Sequence, residues 1–391
     1  MIAFPATKMT PNPAPSLSTA EKIWLTLWLL FVAPIKLAVA MSQTLWMASS
    51  RGLRLRRFLP CPFYRVALGQ LLPNHFQALL PGTVETYQQF MEKAKTSPPK
   101  GDNFPLIPGR LQEKIEPLGP ASCIMWLGNP ATADKIVYFF HGGGYKVPMS
   151  DGHLHFCVQA FLLANPKVEV AVALLEYTLA PAHYPVQLSQ AAAGLAHLLN
   201  SGIKPENIIV GGDSAGGNLT AQLLGHLLHP HPDVTPIQLS RPLLGAFMAS
   251  PWLTTHTDGV SYRENTGIDM LTKHHAILSQ GDVLTGSKFE EEKRQGKGWA
   301  FPLDVDESWF DGLSCVVTNF YISVGQHEVL RSEGVAFADI IRRRNPDVKL
   351  EVYLAAQEAH DFILVEGLLR VVDTATRKIR AWASSVISKT R

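Results

Sequence analysis

From about residue 135 onward the chain alternates between two kinds of segment, and this alternation narrows the possible folds more than any other feature. Short apolar, β-branched runs at 135–140, 168–175, 208–211, 244–250, 319–324 and 350–354 read as strands buried on both faces. Stretches with helical periodicity separate several of them, at 153–165, 185–199, 215–229 and 332–344. Strands that alternate with helices pair in parallel through crossovers, so the expected class is α/β, a mostly parallel central sheet with helices on both faces. In such sheets functional groups gather beyond the carboxyl ends of the strands.

Two of those ends carry motifs. After the run 208–211 comes Gly212-Asp213-Ser214-Ala215-Gly216-Gly217-Asn218, a G-x-S-x-G turn leading into a helix. A sharp strand-to-helix turn needs small neighbours, and it lifts the Ser214 hydroxyl above the sheet edge. The start of the next helix offers N–H groups to developing negative charge. After the run 135–140 comes His141-Gly142-Gly143-Gly144-Tyr145. Backbone N–H groups reach a tetrahedral oxyanion only where no Cβ obstructs them. Gly143, Gly144 and Ala215 are therefore the expected oxyanion donors, with Gly142 as a further candidate, while His141 is expected to hold the loop in shape and Asp213, Gly212 and Gly216 to support the turn.

Together these motifs resemble the hormone-sensitive-lipase branch of the α/β-hydrolases. The segment Glu176-Tyr177-Thr178-Leu179-Ala180-Pro181-Ala182-His183-Tyr184-Pro185 is similar to that branch's D-Y-R-L-A-P-E-x-x-x-P stretch, and Ser250-Pro251-Trp252 and His360-Asp361-Phe362 also fit. Glu176, Thr178 and Ala182 depart from the usual Asp, Arg and Glu, which puts the support of the active-site loops in question. The likeness covers roughly residues 100–385. It implies an α/β-hydrolase fold with a helical cap, for which 66–95 and 261–299 are the candidate segments, and a serine, acid, histidine triad in that chain order. Glu328, in Gly325-Gln326-His327-Glu328-Val329-Leu330, stands where the branch has an Asp, and His360 stands where it has the base. Glu333 reads instead as a solvated residue at a helix start.

The expected chemistry is that of a serine carboxylesterase acting on a lipophilic small-molecule ester through Ser214, Glu328 and His360, with no cofactor. An acyltransferase, thioesterase or cyclase on the same fold is the nearer alternative, and a non-catalytic ligand-binding module the further one. The pairs His153/His155 and His274/His275 lack Cys or carboxylate partners at ligand spacing, so no metal is expected. The four cysteines, at 61, 123, 157 and 315, are too scattered for a zinc site and read as thiols.

Of 391 residues only 17% are charged, and 46% are hydrophobic. Residues 23–48 hold a single charge, Lys36, over a length sufficient to cross a bilayer. The expectation is a single-pass anchor of the endoplasmic-reticulum type, with 1–22 as a tail, 49–110 as cap or linker and 111–391 as the catalytic domain. Pro34 and Lys36 keep an interfacial amphipathic helix open as an alternative, and Ala38-Val39-Ala40 keeps open a signal peptide. Residues 1–60 carry +6 within a total of +2, and Arg51, Arg54, Arg56 and Arg57 after the segment favour a cytoplasmic catalytic domain. A net charge near zero excludes a nucleic-acid binder working through a basic face. The proline-rich stretches 11–15 and 98–108 read as tail and linker.

Overall fold

A computed structural model describes residues 16–97 and 110–388; both proline-rich stretches lie outside them. The eight strands are β1 (Ile115–Gly119), β2 (Ser122–Leu127), β3 (Lys135–Phe140), β4 (Val170–Glu176), β5 (Ile208–Asp213), β6 (Leu243–Ala249), β7 (Val317–Gly325) and β8 (Lys349–Ala355). They form one sheet in the order β1-β2-β4-β3-β5-β6-β7-β8. From β4 to β8 all neighbours are parallel, while β1/β2 and β2/β4 are antiparallel. The expected strands thus lie within a residue or two of their places. The hairpin β1–β2 is an addition, and Pro117 within β1 is tolerated because that strand is an edge.

Alternation along each strand divides the core in two. Tyr138 and Phe140 join Leu188, Leu219, Phe320 and Phe337 on one face, where the helices Val186–Asn200, Ala215–Leu228 and Arg331–Arg344 lie. Val137 and Phe139 join Phe156, Phe161, Phe247 and Trp382 on the other, against the helices Asp151–Cys157 and Thr374–Ser388. With both faces covered, the strands have little choice but to be apolar throughout, which is what made them legible.

The amino-terminal region is built differently. A 32-residue helical rod, Thr19–Ser50, is long and apolar enough to cross a membrane. It starts at Ser18, whose side chain accepts from the Glu21 N–H while Glu21 reaches back to the Ser18 backbone. A π-turn at Trp28–Val32 precedes Pro34, which has no N–H to offer the preceding turn. Short helices follow at Leu55–Phe58, Cys61–Leu68, Pro73–Leu79 and Thr83–Thr96. Arg51 donates to Asn265 Oδ1 at 2.9 Å and to the Glu264 carbonyl. Arg57 pairs with Glu358 at 2.6 Å, and with Glu366 and Asp373. Two of the four arginines that favoured a cytoplasmic domain therefore have partners within the protein, leaving Arg54 and Arg56 exposed.

Candidate active site

β5 ends at Asp213, and the backbone turns at once into the helix Ala215–Leu228. Ser214, at the turn, has φ 50° and ψ −112°, a conformation that L-residues avoid and that a surrounding fold must impose. Small neighbours make it possible: a Cβ on Gly212 or Gly216 would lie 2.1 or 2.0 Å from the Phe140 carbonyl oxygen. The Ser214 N–H is tied to the Ala249 carbonyl at 2.9 Å, so β6 braces the turn from the other side.

The loop after β8 brings His360 to this serine, with Nε2 2.9 Å from Ser214 Oγ. Burial pulls the imidazole down to about 3, so it is neutral and able to accept a proton. Its other nitrogen, Nδ1, lies 4.0 Å from Glu328 Oε2, on the loop after β7. Among the described residues, no other carboxylate pairs with the His360 imidazole within that distance. Oε2 accepts from Ser250 Oγ at 2.6 Å and from the Gly325 N–H at 2.9 Å. Burial and then the neighbouring Asp269 push the Glu328 carboxyl well above its ordinary range, against these two hydrogen bonds.

The glycine loop lies across from the serine. Gly143 and Gly144 have φ of 111° and 60°, and a Cβ on Gly143 would press to 2.8 Å from the Val147 carbonyl. Among the described residues, no acceptor meets the N–H groups of Gly143, Gly144 or Ala215. Gly142 differs from the expectation: its N–H is committed to Asp213 Oδ2 at 2.9 Å and is not available as an oxyanion donor. His141 stacks on Tyr177 at 4.5 Å with an interplanar angle of 14°, and Tyr177 donates to the His141 carbonyl at 2.6 Å. Burial, then His153, pulls the His141 ring down to about 4.

Asp213 supports both motifs. Its Oδ2 also accepts from His153 Nε2 at 3.2 Å, and His153 Nδ1 accepts from the Ser150 N–H at 3.1 Å. Burial pushes the Asp213 carboxyl up, but His153 and Asp361 outweigh it and hold it low. Asp361 goes the other way, raised by burial and then by Asp213. The ligand-type atoms of His153, Asp213 and Asp361 lie within 4.8 Å of one another, but both nitrogens of His153 are already engaged.

Several contributors have roles that the sequence did not assign to them. Ser250, at φ 47°, donates to Glu328 and accepts from the Asp361 N–H at 3.1 Å, so one hydroxyl joins the acid and base loops. Asp269 accepts from the N–H groups of His360 at 2.9 Å, Val329 at 2.7 Å and Met270 at 2.7 Å. Burial raises it to about 7 in spite of these donors. Glu333 is not solvated, as expected, but buried, accepting from the N–H groups of Leu253 and of Thr254 at 3.0 Å. Where Thr178 and Ala182 depart from the resembled pattern, amides hold the loop: Gln187 donates to both their carbonyls, at 2.9 and 3.1 Å, and Gln190 to Thr178 Oγ1 at 2.7 Å.

Ser214 and His360 open into an apolar cavity of about 100 Å³ whose walls include Leu68, Val147, Trp252, Leu271, Ala276 and Leu364. Residues of both candidate cap segments thus line it. A larger hollow of about 520 Å³ shares Tyr64, Val147, Pro148 and Ser150 with it.

Residues 137–364 match the family model of the alpha/beta hydrolase fold, more than half of the chain. The chain belongs to this alpha/beta-hydrolase family. An esterase of Acinetobacter venetianus is 27% identical over 259 residues, 66% of this chain and 77% of that protein. Arylacetamide deacetylase of Oryctolagus cuniculus is 27% identical over 172 residues, covering 41% of this chain and 40% of that protein. In fold, the hydrolase is similar to a crystal structure of an esterase from the bacterial hormone-sensitive lipase family, with a TM-score of 0.57 at 19% identity, over 85% of this chain and 98% of that one. These likenesses make it an esterase/lipase-like hydrolase.

Proposed function

We propose that this hydrolase cleaves a carboxylic ester of a lipophilic molecule by a serine mechanism. The observation that carries the reading is the 2.9 Å contact of Ser214 Oγ with a neutral, buried His360 at the base of an apolar cavity. Ser214 Oγ attacks the ester carbonyl carbon and passes its proton to His360 Nε2. The carbonyl oxygen, now an oxyanion, is met by the N–H groups of Gly143, Gly144 and Ala215, each such donor worth about 3 kcal/mol in the transition state. The tetrahedral intermediate collapses as the alkoxide leaves with the proton from His360, and acyl-Ser214 remains. Water then gives its proton to His360, attacks the acyl carbon, and releases the carboxylic acid as Ser214 recovers its proton. Glu328 orients the imidazole and stabilises its charged form.

The size of the cavity next to the serine suits a short acyl group, with the bulkier alcohol portion directed to the larger hollow. The name of the arylacetamide deacetylase relative agrees with a short acyl group. The test is hydrolysis of p-nitrophenyl esters of increasing acyl length. Acetate or butyrate should be cleaved with the highest kcat/KM, and Ser214→Ala should lower it by about 10⁶-fold. Undiminished hydrolysis by Ser214→Ala contradicts the reading. A membrane is the proposed partner, because the rod Thr19–Ser50 leaves most of its apolar residues exposed.

A further inference from the structure

The rod Thr19–Ser50 would extend about 48 Å at the rise of an α-helix, more than the roughly 30 Å of a bilayer's hydrocarbon core. Length therefore permits a crossing. Packing does not leave room for one, because contacts with the folded body begin near one end of the rod and finish near the other. Leu25 and Trp28 pack with Leu71 and Phe76. Thr44 Oγ1 donates to the Gly267 carbonyl at 3.4 Å, and Ala48 is buried with Phe58, Cys61 and Ile268. No stretch of about 20 residues remains clear of the body, which is what a lipid-surrounded crossing requires.

The π-turn explains how one face stays on the body over this distance. At Trp28–Val32 the Ala33 N–H reaches back to the Trp28 carbonyl, so the turn holds one residue more than an α-turn. That extra residue rotates the following helix by about 100°. Without it, Ala40, Thr44 and Ala48 would drift away from the line of Leu25 and Trp28; with it, all five share the covered face. The opposite face carries Leu27, Leu30, Phe31, Ile35, Val39 and Trp46, between 51% and 72% exposed. Exposed cations accompany it: Lys22, Lys36, Arg54 and Arg56. The sole acidic residue before Glu85 is Glu21, which is tied to Ser18 and Asn74. An apolar face accompanied by lysines and arginines is matched to the headgroup boundary of an anionic bilayer.

We propose that Thr19–Ser50 lies in the plane of an anionic phospholipid surface, inner face on the hydrolase and outer face among the acyl chains, and does not cross the membrane. A consequence, which rests on the hydrolase reading above, concerns substrate entry. Leu68 and Val147 pack in the same cluster as Leu25 and Trp28 and also line the cavity of Ser214. The inner face of the rod thus packs on side chains that form the wall of the site, and lipophilic esters enter from the membrane side.

The test uses the full chain with Cys315→Ser, which removes the exposed native thiol, and a new cysteine in Ser16→Cys or Ser50→Cys. Each protein is bound to sealed phosphatidylcholine/phosphatidylglycerol vesicles and treated with a membrane-impermeant maleimide. Both positions should label as fully before detergent lysis of the vesicles as after it. Protection of either position until lysis means a crossing and overturns the proposal, as does failure to float with the vesicles. Phe31→Asp combined with Ile35→Asp should weaken vesicle binding by about tenfold or more. Hydrolysis of p-nitrophenyl acetate by the same preparations should be unchanged by that pair. Because this assay needs no membrane, it reports on the serine mechanism separately.

Discussion

The rod and its following helices differ from the sheet in how they treat apolar surface. Sixteen of the 23 large apolar side chains exposed among the described residues lie between Ile23 and Leu80, whereas β2 to β6 expose none of theirs. The sheet is covered by helices on both faces, a core that needs nothing further. The amino-terminal region buries one face and presents the other, which is the composition of an element with a second apolar partner. The two regions are nevertheless joined at the chemistry. Arg51 holds Asn265, whose side chain donates to the Glu328 carbonyl at 2.9 Å. Arg57 pairs with Glu358, two residues before His360. Arg65 donates to the Asp269 carbonyl at 2.7 Å, and the Asp269 carboxyl holds the His360 backbone. The sheet carries the proposed reacting groups, and the amino-terminal region steadies the loops that carry two of them.

If that division of labour is right, removing a reacting group and removing a brace should fail in different ways. The largest effect is expected from Glu328→Gln, which should lower kcat/KM for p-nitrophenyl acetate by about 10⁴-fold with little change in thermal stability. A loss below tenfold would mean that the 4.0 Å separation from His360 is a structural contact and that another group orients the base. Arg57→Met should be first of all a stability mutant. It leaves Glu358 and Glu366 facing each other largely out of water, at a cost of about 3 kcal/mol in urea unfolding. An unchanged midpoint would show that the arginine is incidental and that the two regions are only loosely joined.

The smallest effect is one of pH. The folded-state value of Asp269 is about 7, above the ordinary 3.8, so the fold favours its protonated form. The native state therefore binds more protons than the unfolded chain between about pH 4 and 7, and this contribution to stability, complete below pH 4, is lost as pH rises through 7. Asp269→Asn should flatten the fall of the urea midpoint between pH 5 and 8. An unchanged slope would mean that Asp269 is ionised throughout that window in the folded state as well as the unfolded one.

Much of the sheet side was legible in the sequence, because strands buried on both faces must be continuously apolar and the serine turn tolerates only small neighbours. Among the strands not read from the sequence, β1 is broken by Pro117 and Gly119 at an edge, whereas β2 is a continuous buried run that was open to being found. The same pattern-reading also missed the helix Thr374–Ser388, whose Ile379, Trp382, Ala383 and Val386 carry the helical period and were open to being found. The braces were illegible for a different reason. Ser250 stands in a stretch that fits the resembled pattern, but its role depends on a positive φ, and Asp269 acts through the N–H groups of Val329 and His360, brought to it from distant segments, so neither role leaves a local signal. Arg51 and Arg57 were legible as charge and misread as topology, because a count of cations before folding cannot separate those facing solvent from those with a carboxylate or amide partner. Gly142 shows the same limit on the catalytic side, where three consecutive glycines look alike until Asp213 takes the N–H of one.

The central claim is that Ser214 is the nucleophile and that the fold, not the side chain alone, makes it one. It is tested most directly by treating the full chain with a fluorophosphonate, mapping the adduct by peptide mass spectrometry, and repeating the treatment on His360→Ala and on acid-unfolded protein. The account predicts one adduct, on Ser214, formed with loss of p-nitrophenyl acetate hydrolysis in step, and little or none in the other two samples. Hydrolysis that persists in fully labelled protein, or an adduct on any serine other than Ser214, would contradict it.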